Sequence, residues 1–309
     1  MRLLIASQID GGAEAELRSR HDVVSRIGAS EPDLAEAARD RHAIVFRSGV
    51  SLGAPVLHAP DLRLLVRAGS GLDNLDMQTV SARGIELRRV PGPGAQAVAE
   101  LTFAHLLALA RQLPRADRLL REGHWAKGEL DAYNLHGKTL GVIGLGSIGS
   151  RVAELGRAWG MRVIGCVDRP SDPRRLEFAR RGIELLADCG DVLEQADFVT
   201  IHVPLVPSTR GLIGSAELAR MKPTAFLVNM ARGGVVDEGA LLTALTEGRL
   251  AGAGLDTHVR EGEGADSPLA SLPNVTLTPH IGAATIAAQR EIGRQVVAIV
   301  DGFSREHSL

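Results

Sequence analysis

The sequence predicts an α/β protein of two domains, each a doubly wound parallel sheet with helices on both faces. Three observations predict it. Short apolar runs alternate with helical patterns along nearly all 309 residues, the rhythm of parallel strands joined by crossover helices. That rhythm breaks at Pro91-Gly-Pro-Gly94, where neither helix nor strand can continue. Finally, the apolar run Thr139-Leu-Gly-Val-Ile143 leads straight into Gly144-Leu-Gly-Ser-Ile-Gly149 and a helical pattern.

Before the break, residues 3–6, 23–27, 43–46, 62–66 and 85–90 read as strands, and residues 32–39 and 76–83 as helices. A long apolar helix is expected over 95–111. Strands follow near 139–144, 161–167, 197–202, 224–229, 251–256 and 274–277, six in all, enough for a doubly wound sheet. Residues 283–303 have helical periodicity without a further strand and read as a closing helix that returns to the first domain. The expected division is 1–94 for the first domain, 95–282 for the second and 283–309 for the returning helix.

Composition narrows the function classes. Hydrophobic residues make up 45% of the chain, enough for substantial cores, and aromatics only 3%, so those cores are aliphatic. The 35 basic and 37 acidic residues leave a net charge of −2 without long runs of one sign. This points to neither nucleic acid nor a charged membrane. The first ten residues suit a buried strand better than a signal peptide, and no apolar run is long enough for a membrane span. A cytoplasmic protein is expected. Cys166 and Cys189 fit no zinc pattern or disulfide framework, so they read as small buried apolar residues.

The glycine turn carries the first chemistry. Gly144 permits the tight turn, Gly146 lets the backbone approach a pyrophosphate, and Gly149 lets the helix pack on the strand. The helix N-terminus then faces the anion. With strand before and helix after, this is the setting of a dinucleotide site, a Rossmann domain. Asp168, 19 residues after Gly149, ends the next strand and can accept ribose hydroxyls, favouring NAD; Arg169, Arg174 and Arg175 nearby keep a 2′-phosphate, and so NADP, open.

Ligands of open α/β sheets bind beyond the carboxyl ends of the strands. Four turns there stand out: His202-Val-Pro204, Asn229-Met-Ala-Arg232, Asp256 followed by Glu261, and Pro279-His280. Arg232 can grip a carboxylate with two parallel hydrogen bonds. His280 can take a hydroxyl proton as hydride leaves the carbon, and Glu261 can orient its imidazole. Each also has an ordinary reading, as surface ion pair, turn residue or solvated acid. Asp237 and Glu238 read as helix caps, and His105 and His124 as structural. In the first domain, Gly69-Ser-Gly71 offers clustered amides for a carboxylate and Arg47-Ser48 ends a neighbouring strand; ordinary turn glycines and a surface arginine are the competing reading.

Six segments together resemble the D-isomer-specific 2-hydroxyacid dehydrogenases, with motifs nearest the phosphoglycerate dehydrogenase branch. They are Arg67–Asp76, Gly137–Gly149, His202–Thr209, Asn229–Leu241, Ala251–Asp256 and Pro279–Ala283. The resemblance implies a flavodoxin-like, discontinuous substrate domain beside the Rossmann domain, with substrate in the cleft between them. It implies a catalytic trio of Arg232, Glu261 and His280. Cofactor contacts carry over to Ser70, Ser147, Ile148, Val203, Met230, Ala231, Asp256 and Gly282, joining Gly144, Gly146, Gly149, Asp168, His202 and Pro204. Substrate contacts carry over to Arg47, Ser48, Gly69 and Gly71, with Arg232.

The implied activity is hydride transfer between NAD(H) and a D-2-hydroxy acid/2-keto acid pair, by a homodimer. Departures from the family pattern are local. Its ribose acid aligns with Val167, one residue before Asp168. Where it usually reads Asp-Val-Phe, this chain reads Asp256-Thr-His258 before Glu261. Val90–Gln96 lacks the usual asparagine, so the substrate need not be 3-phosphoglycerate; glyoxylate or hydroxypyruvate reduction and phosphite oxidation are the alternatives. A NADH-sensing protein like the C-terminal-binding corepressors is the alternative of another class. With no regulatory extension after the closing helix, feedback through such a domain is not expected.

Overall fold

A computed structural model describes residues 1–168 and 171–309. The described residues divide into two compact units, residues 1–94 with 283–309, and residues 95–282.

The first unit holds five parallel strands, β1 (Arg2–Ile5), β2 (Asp22–Ser25), β3 (Ala43–Phe46), β4 (Leu64–Arg67) and β5 (Glu86–Arg89), in the order β2-β1-β3-β4-β5. This is the flavodoxin-like order. Its central strands are buried on both faces: β3 reads Ala-Ile-Val-Phe and β4 Leu-Leu-Val-Arg with no exposed position. The helix Ile286–Glu306 is capped by Thr285, whose hydroxyl accepts the Ala288 amide. Its Ile292, Val296, Val297, Val300 and Phe303 enter the same core as Leu3, Ile5 and Leu17. Gly293 permits close packing there, since a Cβ on it would stand 2.7 Å from Ala13 Cβ.

The second unit holds seven parallel strands, β6 (Thr139–Ile143), β7 (Arg162–Cys166), β8 (Ile183–Leu185), β9 (Phe198–Ile201), β10 (Phe226–Asn229), β11 (Gly252–Leu255) and β12 (Val275–Leu277). They are ordered β12-β11-β10-β9-β6-β7-β8. The strand order therefore reverses between β6 and β9, the switch point where Rossmann sheets open a crevice.

Some elements escape the sequence pattern. Strand β8 is an edge of three residues, Ile-Glu-Leu, too short to show alternation. The helix Gly11–Arg20 begins with two glycines and carries little apolar periodicity; the Asp10 side chain starts it by accepting the Ala13 amide. The cysteines need correction: Cys166, ending β7, and Cys189, opening the helix Cys189–Gln195, form a disulfide with Cα atoms 5.5 Å apart. The crossover that brings them together has no signature in their spacing. Among the described residues, no helix is long and apolar enough to cross a membrane.

Candidate active site

Parallel strands deliver their following turns to one edge of a sheet, and in the second unit that edge gathers most of the residues singled out by sequence. After β6 come Gly144–Gly149, after β7 Asp168, after β9 His202–Pro204, after β10 Met230–Arg232, after β11 Asp256 and after β12 His280.

The glycine turn is built by close approach. Gly144 has φ +91°, and a Cβ on it would meet the His202 carbonyl at 2.9 Å. A Cβ on Gly149 would stand 1.9 Å from the Gly144 oxygen. Gly146 is different: a Cβ there would meet nothing within 4 Å. The helix Ser147–Ala158 starts at Gly146 with no side-chain cap, leaving first-turn amides of Ser147 and Ile148 to face an incoming anion. An open backbone before uncapped amides fits the pyrophosphate of a dinucleotide.

Around it, Met230 and Ala231 are buried, Ile148 and Val203 partly so, and Pro204 is exposed. Burial pushes the His202 imidazole down to about 3, keeping it neutral, and its ring nitrogens have no hydrogen-bond partner among the described residues. Asp168 is exposed at the end of β7. Of the arginines near it, Arg175 donates to the Leu185 carbonyl at 3.1 Å, Arg174 lies on the helix Asp172–Arg180, and Arg169 lies outside the described residues.

The turn after β10 is shaped by Asn229. Its side-chain oxygen accepts the Ala231 amide at 3.0 Å and its Nδ2 donates to the Arg232 carbonyl at 3.0 Å, while Arg232 donates to the Ala231 carbonyl at 2.8 Å. This turn lies against the loop after β11: a Cβ on Gly233 would overlap the His258 carbonyl, 1.8 Å away. Asp237 caps the helix Glu238–Thr246 as expected, accepting the Gly239 and Ala240 amides. Glu238 does something else, accepting the Val259 amide at 2.8 Å and so tying that helix to the loop of Glu261.

His280 and Glu261 are brought together. Nδ1 of His280 lies 2.9 Å from Oε2 and 3.1 Å from Oε1 of Glu261, so Nδ1 carries the proton and donates. Burial alone would raise the Glu261 pKa; the hydrogen bond and charge of His280, with the His258 amide, outweigh it and hold the carboxyl below its ordinary 4.5. His280 has φ +53°, a left-handed conformation that a non-glycine residue adopts only when its surroundings hold it.

Asp256, expected as a cofactor contact, and His105, expected to be structural, supply that hold. Asp256, 2% exposed, accepts the Ile281 amide on Oδ1 and the Gly282 amide on Oδ2, both at 2.8 Å. Its Oδ1 also accepts the Thr278 hydroxyl at 2.7 Å. With that proton committed, Thr278 Oγ1 must accept from His105 Nε2 at 3.0 Å, which leaves His105 Nδ1 to accept the Thr276 hydroxyl at 2.7 Å. His105 is therefore structural, though it braces the turn of His280; burial, despite the Asp256 charge, lowers its pKa and keeps the ring neutral. No periodicity announces these partners. The one signal was the pair of threonines on alternate positions of the strand leading to His280.

The first unit carries its own set on one sheet edge, after β3 and β4. The Arg47 amide donates to Ser7 Oγ at 2.9 Å, and burial lowers the pKa of the Arg47 guanidinium. Asn74 donates to the carbonyls of Arg47 and Ser48 at 3.0 and 3.3 Å. Gly69, at φ +154°, and Gly71 wrap over buried Arg67, whose Nε donates to the Gly71 carbonyl at 2.8 Å. Ser70 is exposed in this turn; it belongs to the first unit, unlike the other cofactor candidates.

Comparison with known proteins gives a consistent picture. Residues 103–282 match the family model of the D-isomer specific 2-hydroxyacid dehydrogenase, NAD binding domain. The D-3-phosphoglycerate dehydrogenase of Methanocaldococcus jannaschii is 39% identical over 294 residues, covering 95% of this chain and 55% of that protein. The chain thus spans about half the length of the curated relatives it matches. Among solved structures, D-lactate dehydrogenase from Aquifex aeolicus, complexed with NAD and lactic acid, is 28% identical with a TM-score of 0.86, covering 98% of this chain and 96% of that one. The NADPH-dependent glyoxylate/hydroxypyruvate reductase of Sinorhizobium meliloti is 29% identical with a TM-score of 0.84, covering 96% and 91%.

Proposed function

The chain belongs to the D-isomer-specific 2-hydroxyacid dehydrogenase family, and on that premise we propose that it interconverts a D-2-hydroxy acid and its 2-keto acid with NAD(H). The observation that carries this reading is the His280–Glu261 hydrogen bond, set on the same sheet edge as the Arg232 turn and the open glycine turn. A proton-transfer group, a carboxylate clamp and a dinucleotide cradle are the parts such a reaction needs.

Each residue has a distinct task. Gly144, Gly146 and Gly149 shape the pyrophosphate turn, with the amides of Ser147 and Ile148 as its donors; Asp168 takes the ribose hydroxyls. His202, Val203, Pro204, Met230, Ala231, Asp256 and Gly282 line the rest of the cofactor. The bound nicotinamide supplies hydride exchange at the substrate carbon. Arg232 holds the substrate carboxylate. His280 takes the hydroxyl proton in oxidation and returns it in reduction, through Nε2, because Nδ1 is engaged by Glu261. The Glu261 carboxylate fixes that tautomer and stabilises the imidazolium that forms.

Residues 1–94 with 283–309 serve as the substrate domain, with Arg47, Ser48, Gly69 and Gly71 as its substrate-binding residues and Ser70 as a cofactor-binding residue; residues 95–282 serve as the cofactor domain. A homodimer is supported by the helix Leu113–Arg121 and the turn after it, where Leu113, Leu120 and Trp125 are 54%, 59% and 75% exposed. Apolar groups so grouped on one segment suit a second copy of the chain. Sedimentation measures this, and fractionation tests the cytoplasmic setting proposed for it.

The deciding experiment is oxidation of NADH and NADPH by the purified protein with hydroxypyruvate, its 3-phosphate, glyoxylate, pyruvate and 2-ketoglutarate. Turnover of one acid with NADH is expected. Turnover with NADPH alone overturns the role of Asp168. Tight NADH binding without turnover of any acid overturns the 2-hydroxy acid reading and favours phosphite oxidation or NADH sensing.

A further inference from the structure

His258 occupies the position where the family pattern places phenylalanine, and it touches both halves of the catalytic pair. Its backbone amide donates to Glu261 Oε1 at 3.2 Å, the oxygen that also faces His280 Nδ1. Its ring Nε2 lies 2.9 Å from the Thr278 carbonyl, so Nε2 carries the proton and donates. That same carbonyl accepts the His280 amide at 3.0 Å, closing the tight turn over Pro279 that sets His280 at φ +53°. One residue thus grips the acid through its main chain and the turn of the base through its side chain. The Gly233 approach to its carbonyl and the Glu238 bond to the next amide fix its own backbone.

We infer that His258 is a positioning residue for proton transfer: its imidazole N–H holds the Thr278–His280 turn at the angle that aims Nδ1 of His280 at Glu261. A phenylalanine at this position fills the space but lacks a donor for the Thr278 carbonyl. The other restraints on the turn are Asp256, on the Ile281 and Gly282 amides and on the Thr278 hydroxyl, His105 on that same hydroxyl, and the Leu255 carbonyl on the Thr278 amide. The His258 bond is independent of them. The inference rests on the proposed role of His280 in proton transfer, though the geometry it names can be read without turnover.

The test compares His258→Phe, His258→Asn and His258→Gln in the full chain. A glutamine amide reaches about as far as Nε2 and can donate; asparagine is too short. With NADH and the acid that the wild type turns over, kcat should fall at least about tenfold in the Phe and Asn variants, as expected when a reacting group is displaced by a fraction of an ångström. KM and the NADH Kd should stay within about threefold, and Gln should recover most of kcat. In ligand-free protein, the 15N resonance of His280 Nδ1 should shift in Phe and Asn and return in Gln. If Phe fails to fold, Asn and Gln alone decide. A Gln variant as impaired as Asn, or an Asn variant with wild-type kcat and an unmoved Nδ1 resonance, overturns the assignment. If the wild type turns over no acid, the proposed activity fails, and the resonance comparison still decides whether His258 sets the pair.

Discussion

Glu261 accepts from the Nδ1 of His280 at 2.9 Å while 39% of its own side chain stays open to solvent. The partly burying environment opposes its ionisation, and the bonds from His280 and the His258 amide outweigh that. Since the folded pKa lies below the ordinary 4.5, the contribution of this group to stability is complete above pH 4.5 and is lost as pH falls through the lower folded value. Glu261→Gln should lose this share of the acid-induced destabilisation and lower kcat about ten- to a hundredfold at neutral pH. Stabilities of the two proteins that superimpose above pH 4.5 as well as below it would show that the pair contributes nothing.

His280→Ala removes the proton-transfer group and leaves the glycine turn untouched. Turnover should drop at least about a hundredfold with NADH binding nearly intact. Arg232→Ala should raise KM and lower kcat together, because the carboxylate grip holds the substrate in the ground state and tightens in the transition state. Stopped-flow kinetics and NADH titration separate the two; a normal turnover of the keto acid by either variant removes that residue from the mechanism.

How far the sequence reaches can be seen in particular residues. Strands such as β3 and β10 were legible because Ala-Ile-Val-Phe and Phe-Leu-Val-Asn are uninterrupted buried runs, and a run of that kind is what a parallel strand covered on both faces requires. Gly144, Gly146 and Gly149 were legible because their spacing answers a local steric demand. The support of His280 was not. Asp256, Thr278, His105 and His258 meet around it from four places in the chain, and each bond depends on a tertiary placement that carries no periodic signal. Cys166 and Cys189 failed for the same reason: one ends a strand, the other opens a helix on the returning crossover, and their meeting is a property of the sheet.

That disulfide closes a loop across a sequence separation of 23 residues, and loop closure of this length is worth about 3 kcal/mol in the unfolded chain. Reduction should therefore lower the Tm of the second unit by roughly 5–10 °C. Cys166→Ser with Cys189→Ser should match the reduced protein and ignore reductant. Thiol titration in denaturant counts the cysteines: two appearing only after reduction is expected. An unchanged Tm on complete reduction would mean that the bond constrains nothing.

Two glycines of one turn should respond to alanine in opposite ways. A methyl group on Gly149 would lie 1.9 Å from the Gly144 oxygen, a backbone atom that cannot step aside without opening the turn against β6. Gly149→Ala should cost at least about 2 kcal/mol, lowering Tm and NADH affinity together. Gly146 has φ −80°, which any residue adopts, and nothing within 4 Å of its added methyl. The fold should therefore tolerate Gly146→Ala, with Tm nearly unchanged. Its NADH Kd should still rise at least about tenfold, because the methyl stands where the pyrophosphate must approach the backbone. Normal NADH binding by Gly146→Ala would show that the anion does not approach there, whereas an unaltered Tm in Gly149→Ala would show that the turn yields. Only a turn whose one glycine packs inward and whose other faces ligand separates stability from binding in this way.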